Sequence, residues 1–334
     1  MRTTTVTLLL ALALVPARPA PAAAGPLAWL KRQGHAVQQR LQQSAARRQT
    51  VRTLRSIDPL LVPAFKAMKH AHAPYSGAHL GAALSVRRQG ALSRVPLLRN
   101  RIVRGFNSES EGDLQICAER AAMAGLPRDL AARSPVRKIA VVSDGGVPTP
   151  CGRCLQVLSE VGSPETKIVA ANLKGKHRTF RLGDLLPTGL APSPRSALKP
   201  HRPLMAQAVR AYRRSLKSGV NRYRPPFGAV VQTDDGRTYL GMVLKDTAST
   251  FTPATQTPLD LVAQRAALEG RRHRVRTVVI AGEGRGGKLP LPTADERQHL
   301  VDMNPDARVV LYNPKTRTGA VTTARDLLPH AYQR

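Results

Sequence analysis

Cysteine is scarce in this chain, which has only three in 334 residues: Cys117, Cys151 and Cys154. An odd number this small excludes a complete framework of disulfides, the usual means of stabilising a small exported protein. All three lie between residues 117 and 154, so one shared metal ion would account for them together. The sequence therefore predicts a metal site in this region.

Acidic residues are also few: there are 21 Asp and Glu against 52 Lys and Arg, and the formal net charge at pH 7 is +31. One interpretation is a solvated basic surface that has no dedicated partner. The other is attraction to an anionic partner, which would be nucleic acid, a membrane surface or a polyanionic cell envelope. Net charge does not distinguish between them.

The N-terminal apolar run, from Val6 to Val15, is too short to cross a bilayer, which takes roughly 20 apolar residues. It follows Arg2 and leads into small residues that end at Ala24, the pattern of a secretory signal peptide. We therefore predict a signal peptide over residues 1–24, export to the periplasm or the medium, and no transmembrane span after cleavage. The alternative is an uncleaved anchor or a disordered alanine-rich tail.

Residues 25–56 are rich in Gln, Arg and Ala and contain few strand-forming residues. This composition predicts a basic helical leader. It either packs loosely on the body of the protein or acts as a surface-binding arm.

The remainder of the chain contains an internal repeat. The segment RLGDLLP at 181–187 recurs as TARDLLP at 323–329. Other positions recur in the same order: Pro150 with Pro292, Gln156 with Gln298, Leu158 with Leu300, and Arg120-Ala121-Ala122 with Arg265-Ala266-Ala267. We predict a first domain over residues 57–190, a Pro-rich linker over 191–203 and a second domain over 204–334.

Helices alternate with strands in each copy, which predicts a layered α/β sandwich. In the first copy the predicted elements are a helix from Ile57 to His70, strands at Gly81 to Arg87 and Arg101 to Phe106, a helix from Cys117, a strand from Lys138 to Ser143, a helix from Cys151, and a strand from Lys167 to Asn172.

Two short motifs in the first copy carry the chemistry. Cys151 and Cys154 are separated by two residues at the start of a predicted helix, so both sulfurs can bind one ion. The positive end of the helix dipole favours their thiolate forms. With Cys117 they make three protein ligands, which leaves a fourth position for water, as in a catalytic zinc site. Glu119, two residues after Cys117, is placed to act as the base.

These motifs and several others make the chain similar to the cytidine deaminase family over roughly residues 57 to 190. The matching segments are Pro74-Tyr75-Ser76, Gly81-Ala82-Ala83, Gly105-x-Asn107-x-Glu109, Cys117-Ala118-Glu119-Arg120, Ser143-Asp144, Pro150-Cys151-Gly152-x-Cys154 and Leu185-Leu186-Pro187.

The resemblance implies two tandem α/β domains, each a three-layer α/β/α sandwich with a mixed central sheet. It implies zinc-dependent hydrolysis of cytidine or 2′-deoxycytidine to the uridine nucleoside and ammonia, a reaction of pyrimidine salvage. The ligands of Zn²⁺ would be the three cysteines, and Glu119 would shuttle protons. Substrate binding would fall to Asn107, Glu109 and Ala118, while Arg120 would donate hydrogen bonds to the cysteine sulfurs.

The chain departs from the family pattern at Ala78, where the family usually has a phenylalanine that stacks on the base. In the second copy the zinc ligands are missing: this alignment puts Val262 and Gln264 at the positions of Cys117 and Glu119, and Thr293 and Glu296 at those of Cys151 and Cys154. The second domain is therefore predicted to be non-catalytic, as in the two-domain bacterial cytidine deaminases. Those enzymes imply a homodimer that forms a pseudo-tetramer of domains.

Two other functions remain open at this point. The high positive charge and Ala78 are compatible with a cytosine deaminase that acts on single-stranded nucleic acid. A non-enzymatic alternative is an exported, zinc-stabilised binding scaffold.

Overall fold

The computed structural model describes residues 26–88, 94–95, 100–110, 115–126, 135–217, 225–245 and 251–332. The predicted signal peptide at residues 1–24 lies outside the described residues. By its internal contacts the chain divides into residues 1–49 and residues 50–334.

Helix α1, Pro26–Ile57, contains no acidic residue, and the side chains from Gln38 to Gln49 are all exposed. It spans almost all of the residues predicted as a helical leader. Its last turn places Leu54 in a buried cluster with α2. Asp58 follows the helix, and its carboxylate accepts a hydrogen bond from the Leu60 amide at 2.9 Å.

The first domain is built around five strands. Its elements are α2 Leu61–Met68, β1 Leu80–Arg87, β2 Asn100–Phe106, α3 Ala118–Ala124, β3 Lys138–Ser143, α4 Gly152–Val161, β4 Lys167–Asn172, β5 His177–Arg181 and α5 Leu182–Leu185. The strand order is β2-β1-β3-β4-β5, in which only the β3–β4 pair is parallel. The central sheet is therefore mixed.

Helices cover both faces of this sheet. Alternate residues of β1 point to opposite faces, so they pack against different helices. On one face Ala82, Leu84 and Val86 pack with α3 and α4. On the other face Ala83 packs with α2. The result is the predicted three-layer sandwich.

The second domain repeats this architecture. After α6 Arg195–Leu198 and a 3-10 turn at Lys199–His201, its elements are α7 Arg202–Lys217, β6 Phe227–Thr233, β7 Thr238–Met242, β8 Leu244–Lys245, β9 Phe251–Thr252, α8 Gln256–Glu269, β10 Val275–Gly282, α9 Ala294–Met303, β11 Arg308–Asn313, β12 Thr318–Thr323 and α10 Ala324–Leu327. The main sheet has the order β12-β11-β10-β6-β7, and only β10 and β11 are parallel within it. Its strands thus follow the order and directions of the first sheet. The predicted fold class is confirmed.

The two domains share part of one core. Ala294 of α9 and Leu328, which follows α10, belong to the buried cluster between the first sheet and its helices. Arg297 of α9 is buried and donates hydrogen bonds to the carbonyl oxygens of Pro187, Pro292 and Leu327. The packing of the first domain therefore depends on the second.

The described elements differ from the predictions in three places. Helix α2 covers only Leu61–Met68 of the predicted Ile57 to His70, because the turn at Asp58 separates it from α1. Strand β5 was not predicted, since His177–Arg181 is an exposed edge strand that lacks alternating apolar residues. The segment predicted as a linker contains α6 and the first residues of α7.

Among the residues that the structure describes, no helix combines the length and the apolar content needed to cross a membrane.

Gly105 of β2 lets that strand approach α3 closely. A Cβ atom added there would lie 2.2 Å from the Ala122 nitrogen and 2.4 Å from the Ala118 carbonyl oxygen. We expect Gly105→Ala to lower the free energy of unfolding by about 1–3 kcal/mol, because backbone atoms must move to accept it. Denaturant unfolding would measure the change. Gly189→Ala is the control, since its added Cβ meets no atom within 4 Å; equal effects of the two changes would contradict the close approach.

Candidate metal centre

The three cysteines lie at the N-termini of two helices. Cys117 immediately precedes α3 and Cys151 immediately precedes α4, and both have extended backbone conformations with no side-chain cap. Cys154 lies in the first turn of α4 and is buried. Because both helices begin on the same side of the sheet, their first turns bring the sulfurs together.

The distances between the sulfur atoms fit a tetrahedral metal site. The Cys117 and Cys151 sulfurs are 3.8 Å apart, and those of Cys151 and Cys154 are 3.5 Å apart. All three lie within 4.8 Å of one another. A tetrahedral zinc ion with zinc–sulfur bonds of about 2.3 Å requires sulfurs roughly 3.8 Å apart. The donor set and its spacing therefore suit Zn²⁺.

The three thiols shift one another's pKa values. The pKa of Cys151 is lowered by its contacts with the Cys117 and Cys154 thiols, and also by the backbone N–H groups of Cys154 and Arg153, which donate to its sulfur. The same thiol contacts, together with burial, raise the pKa values of Cys117 and Cys154. A bound divalent ion would stabilise all three sulfurs as thiolates.

Glu119 lies in the first turn of α3 with only 4% of its surface exposed. Burial raises the pKa of its carboxyl group to about 7, and the charge of Cys151 acts in the same direction. A carboxyl group with this pKa can both accept and release a proton near neutral pH. The Cys154 thiol is within hydrogen-bonding contact of Glu119, so the base and the ligand set are adjacent.

Asn107 and Glu109 follow β2 and face the loop before β1. The Asn107 amide donates to the Ala78 carbonyl at 2.9 Å and accepts from the Leu80 amide at 2.7 Å. One carboxylate oxygen of Glu109 accepts the Tyr75 and Ser76 amides, both at 3.0 Å, and the other accepts the Ser76 hydroxyl. These hydrogen bonds lower the pKa of Glu109, with the Ser76 hydroxyl making the largest contribution.

The backbone connects this pair to the cysteines. Ser108 lies between Asn107 and Glu109 and exchanges two backbone hydrogen bonds, of 3.0 and 2.9 Å, with Ile116. Ile116 directly precedes Cys117. The structure therefore brings the predicted sugar-binding pair and the predicted metal ligands to the same end of the sheet.

The two remaining predicted site residues have different surroundings. Ala118 is fully buried, and its carbonyl oxygen lies against Gly105. Arg120 is partly exposed, and among the described residues no hydrogen bond joins it to a cysteine sulfur. The backbone amides of Arg153 and Cys154 donate to Cys151 instead. The sequence analysis missed this contribution, because any residue type can supply a backbone amide.

The sequence analysis also missed how Ser76 and Asp295 contribute. Ser76 stood in a recognised motif, but only the fold shows that its amide and hydroxyl anchor Glu109. Asp295 belongs to the second domain and forms an ion pair with Arg153 at 3.1 Å. No sequence signal links residues so distant along the chain.

The structure corrects the alignment of the second domain at α8. Gly241 of β7 contacts the Ala254 carbonyl oxygen as Gly105 of β2 contacts that of Ala118. Pro253 and Thr255, rather than Val262 and Gln264, therefore occupy the positions of Cys117 and Glu119. The match of Arg120 with Arg265 misled the alignment because α8 continues to Glu269, beyond the length of α3.

Hydrogen-bonded side chains occupy the corresponding position in the second domain. The Thr255 hydroxyl donates to Glu296 at 2.9 Å, and Glu296 also accepts the Thr293 amide at 2.9 Å. Thr293 and Glu296 occupy the positions of Cys151 and Cys154, and together they form a capping box at the start of α9. The polar groups of this site thus satisfy one another.

Comparison with known proteins extends these observations. No family model matches the chain. It is 35% identical over 130 residues to a cytidine deaminase of Halalkalibacterium halodurans, covering 89% of that protein and 38% of this chain. It is 32% identical over 133 residues to a cytidine deaminase of Sporosarcina psychrophila, covering 88% of that protein and 39% of this chain.

Solved structures of cytidine deaminases also match the chain. The cytidine deaminase of Burkholderia pseudomallei is 35% identical, with 96% of its chain and 39% of this one covered and a TM-score of 0.32. The enzyme of Mycobacterium leprae is 30% identical, with 97% of its chain and 39% of this one covered and a TM-score of 0.31. On the extent and identity of the sequence matches, the chain belongs to the cytidine deaminase family.

We expect Glu109→Gln to loosen the loop that contains Tyr75 and Ser76, because an amide accepts their N–H groups more weakly than a carboxylate does. Hydrogen exchange of the two amides would become faster, and mass spectrometry of the corresponding peptide would detect it. The matched control is Glu165→Gln, which alters an exposed ion pair with Arg181 at 3.3 Å. Unchanged exchange of Tyr75 and Ser76 in Glu109→Gln would contradict the anchoring role.

Proposed function

We propose that the first domain catalyses the zinc-dependent hydrolytic deamination of cytidine and 2′-deoxycytidine, releasing ammonia and the uridine nucleoside. The observation that carries this proposal is the spacing of three cysteine sulfurs suited to zinc, with the buried carboxyl group of Glu119 beside them. Membership of the cytidine deaminase family supports the same reaction.

Cys117, Cys151 and Cys154 would hold the ion. When bound, zinc supplies a Lewis acid that lowers the pKa of a coordinated water molecule toward neutrality. Glu119 accepts the proton of the attacking water and delivers it to N3 of the cytosine ring. The water oxygen adds to C4. Glu119 then takes the second proton, from the resulting C4 hydroxyl, and passes it to the amino group. The C4–N bond breaks, ammonia leaves, and the oxygen stays on C4 as the carbonyl of uracil. Burial favours this exchange because it brings the proton affinity of Glu119 close to neutral pH.

The hydrogen bonding of Asn107 and Glu109 supports a nucleoside substrate. The Asn107 amide uses one N–H and one lone pair on the Ala78 and Leu80 backbone, which fixes its orientation and leaves one of each. The carboxylate of Glu109 can accept a further hydrogen bond besides those from Tyr75 and Ser76. Both can therefore bind a sugar hydroxyl, such as the free 3′-hydroxyl that an internal nucleotide of DNA or RNA lacks.

A deaminase of single-stranded nucleic acid is the second candidate, favoured by the net charge of +31 and by Ala78. The neighbouring His79 does not supply a free ring for stacking, because it is bound to Asp144. Its Nδ1 atom pairs with Asp144 at 2.7 Å, and its backbone amide donates to the same carboxylate. A direct assay of nucleosides and oligonucleotides therefore decides between the two candidates.

We also propose that the second domain is non-catalytic, because Thr255, Thr293 and Glu296 bind one another at the position of the metal site. Arg120 as a donor to the sulfurs, Ala118 as a substrate contact, a homodimer, and export directed by residues 1–24 remain proposals from the sequence.

Purified protein should convert cytidine to uridine, which changes the ultraviolet absorbance. Cytidine, deoxycytidine, free cytosine and a cytosine-containing oligonucleotide should be compared in parallel. We expect turnover of the two nucleosides and little of the oligonucleotide. Deamination of the oligonucleotide alone would select the second candidate, and no turnover by zinc-loaded protein would favour a binding scaffold.

Glu119→Gln should lower kcat by at least a factor of about 10²–10⁴, since it removes the proton carrier. Zinc content should stay at one ion per chain because Glu119 is not a ligand. Exposed Glu160→Gln, on the solvent side of α4, is the control and should leave kcat unchanged. If Glu119→Gln retained full activity, another group would have to carry the proton.

Zinc should bind at one ion per chain, and Cys151→Ser should abolish this binding. Chelation should lower the melting temperature, because a ligand present at 1,000 times its Kd stabilises the folded state by about 4.1 kcal/mol. Asp234→Asn is the control: it alters the cluster of Asp234, Asp235 and His273, another described group of side chains close enough to hold an ion. Loss of zinc from Asp234→Asn but not from Cys151→Ser would show that the zinc site lies in the second domain.

A further inference from the structure

The first turn of α4 carries two of the three cysteines, so its position determines the spacing of the sulfurs. Cys151 is the N-cap residue that immediately precedes this helix. Its sulfur accepts the backbone N–H groups of Arg153 and Cys154, which have no partners within the helix. Movement of this turn would change both the sulfur positions and their hydrogen bonds.

The second domain holds this turn at three points. A Cβ atom added to Gly152 would lie 2.1 Å from the Ala294 carbonyl oxygen, so the backbones of α4 and α9 are in direct contact. The side-chain carbonyl of Gln156 accepts the Ala294 amide at 3.0 Å. The guanidinium of Arg153 donates from Nε to Asp295 at 3.1 Å.

The two helix starts differ in their own stability. Helix α9 is closed by the reciprocal hydrogen bonds of Thr293 and Glu296, whereas the start of α4 has only the sulfur of Cys151, a weak acceptor. A capping box satisfies backbone groups that otherwise leave the end of a helix free to fray. The turn that carries Asp295 is thus the rigid one, and the turn that carries the metal ligands rests against it.

The ion pair between the domains is also partly protected from water. The side chain of Arg153 is 35% exposed and that of Asp295 is 33% exposed. By contrast, the pair of Arg325 and Asp306 in the second domain is 64% and 75% exposed. Screening by solvent is weaker for the first pair, so it holds its geometry more firmly.

We propose that Asp295 of the second domain is a positioning residue for the metal centre of the first. By holding Arg153, it fixes the two backbone amides that donate to the Cys151 sulfur, and with them the spacing of Cys151 and Cys154. The second domain therefore contributes to the metal centre although it lacks the ligands. The inference rests on the proposed zinc-dependent function.

Asp295→Asn in the full chain tests this role, because it removes the charge but preserves the shape of the side chain. We expect zinc affinity, measured by competition with a chelator, to fall about 10-fold, as is typical when groups that orient metal ligands are changed. The absorption of the cobalt-substituted protein, which reports the thiolate ligands, should shift. For cytidine, kcat should fall more than KM rises.

Asp306→Asn is the matched control, since it breaks an exposed ion pair of the same domain. Its zinc affinity and cobalt spectrum should equal those of the unmodified protein. Thermal unfolding of the metal-free proteins separates a general loss of stability from a local effect, because Asp295→Asn should unfold within a few degrees of the control. A large drop in this temperature that accounts for the lost affinity would overturn the positioning role.

The exchanged pair, Arg153→Asp with Asp295→Arg, provides a second measurement. Each single change should lower zinc affinity, and the double change should recover part of the loss, since opposite charges face each other again. Additive losses would overturn the inference, and so would unchanged zinc affinity and cobalt spectrum in Asp295→Asn. Both results are compatible with active unmodified protein and leave the proposed function intact. Failure of the unmodified protein to bind zinc would overturn both.

Discussion

The convergence of three thiols and one carboxyl group at a single buried position is the constraint on which the first domain depends. Like charges this close cannot coexist without a cation, and the opposite pKa shifts of Cys151 and its two partners express that conflict. The fold brings these groups together by starting two helices at the same place. Gly105 allows α3 to lie directly against β2, and the contact with α9 holds α4.

The second domain fills the same position with side chains other than cysteine. In place of the three thiols and the carboxyl group of the first domain, it has Thr255, Thr293 and Glu296. Each of these side chains has a hydrogen-bond partner. Satisfied buried polar groups stabilise a structure, whereas unpaired ones cost about 1–3 kcal/mol each. The start of α9 is therefore well packed, and this start is what α4 contacts.

The arrangement also suggests why the two domains are joined in one chain. Ala294 and Leu328 complete the core beside the first sheet, and buried Arg297 binds the Pro187 carbonyl oxygen at 2.6 Å. Removing the second domain would expose apolar surface and leave the first turn of α4 without its neighbour. Part of the excess of basic residues lies on α1, which lacks acidic residues and whose side chains from Gln38 to Gln49 are exposed.

The sequence alone identified the residues of the candidate site and determined the class of fold. Cys117, Glu119, Cys151 and Cys154 form local motifs whose spacing is set by one turn of helix, and the strands at Lys138–Ser143 and Lys167–Asn172 are short apolar runs. Such signals depend on neighbouring residues, so they can be read without coordinates. The exposed strand β5 has no such signal, and it was missed.

Only the tertiary structure decided which residues of the second domain match the site and which of them contact it. The alignment failed at α8 because a short match in a longer helix outweighed the close approach of Gly241 to Ala254, which is a contact in space. The pairing of Asp295 with Arg153 and the anchoring of Glu109 by Ser76 depend in the same way on packing between distant segments. Local spacing specifies the ligands, and long-range contacts specify how they are held.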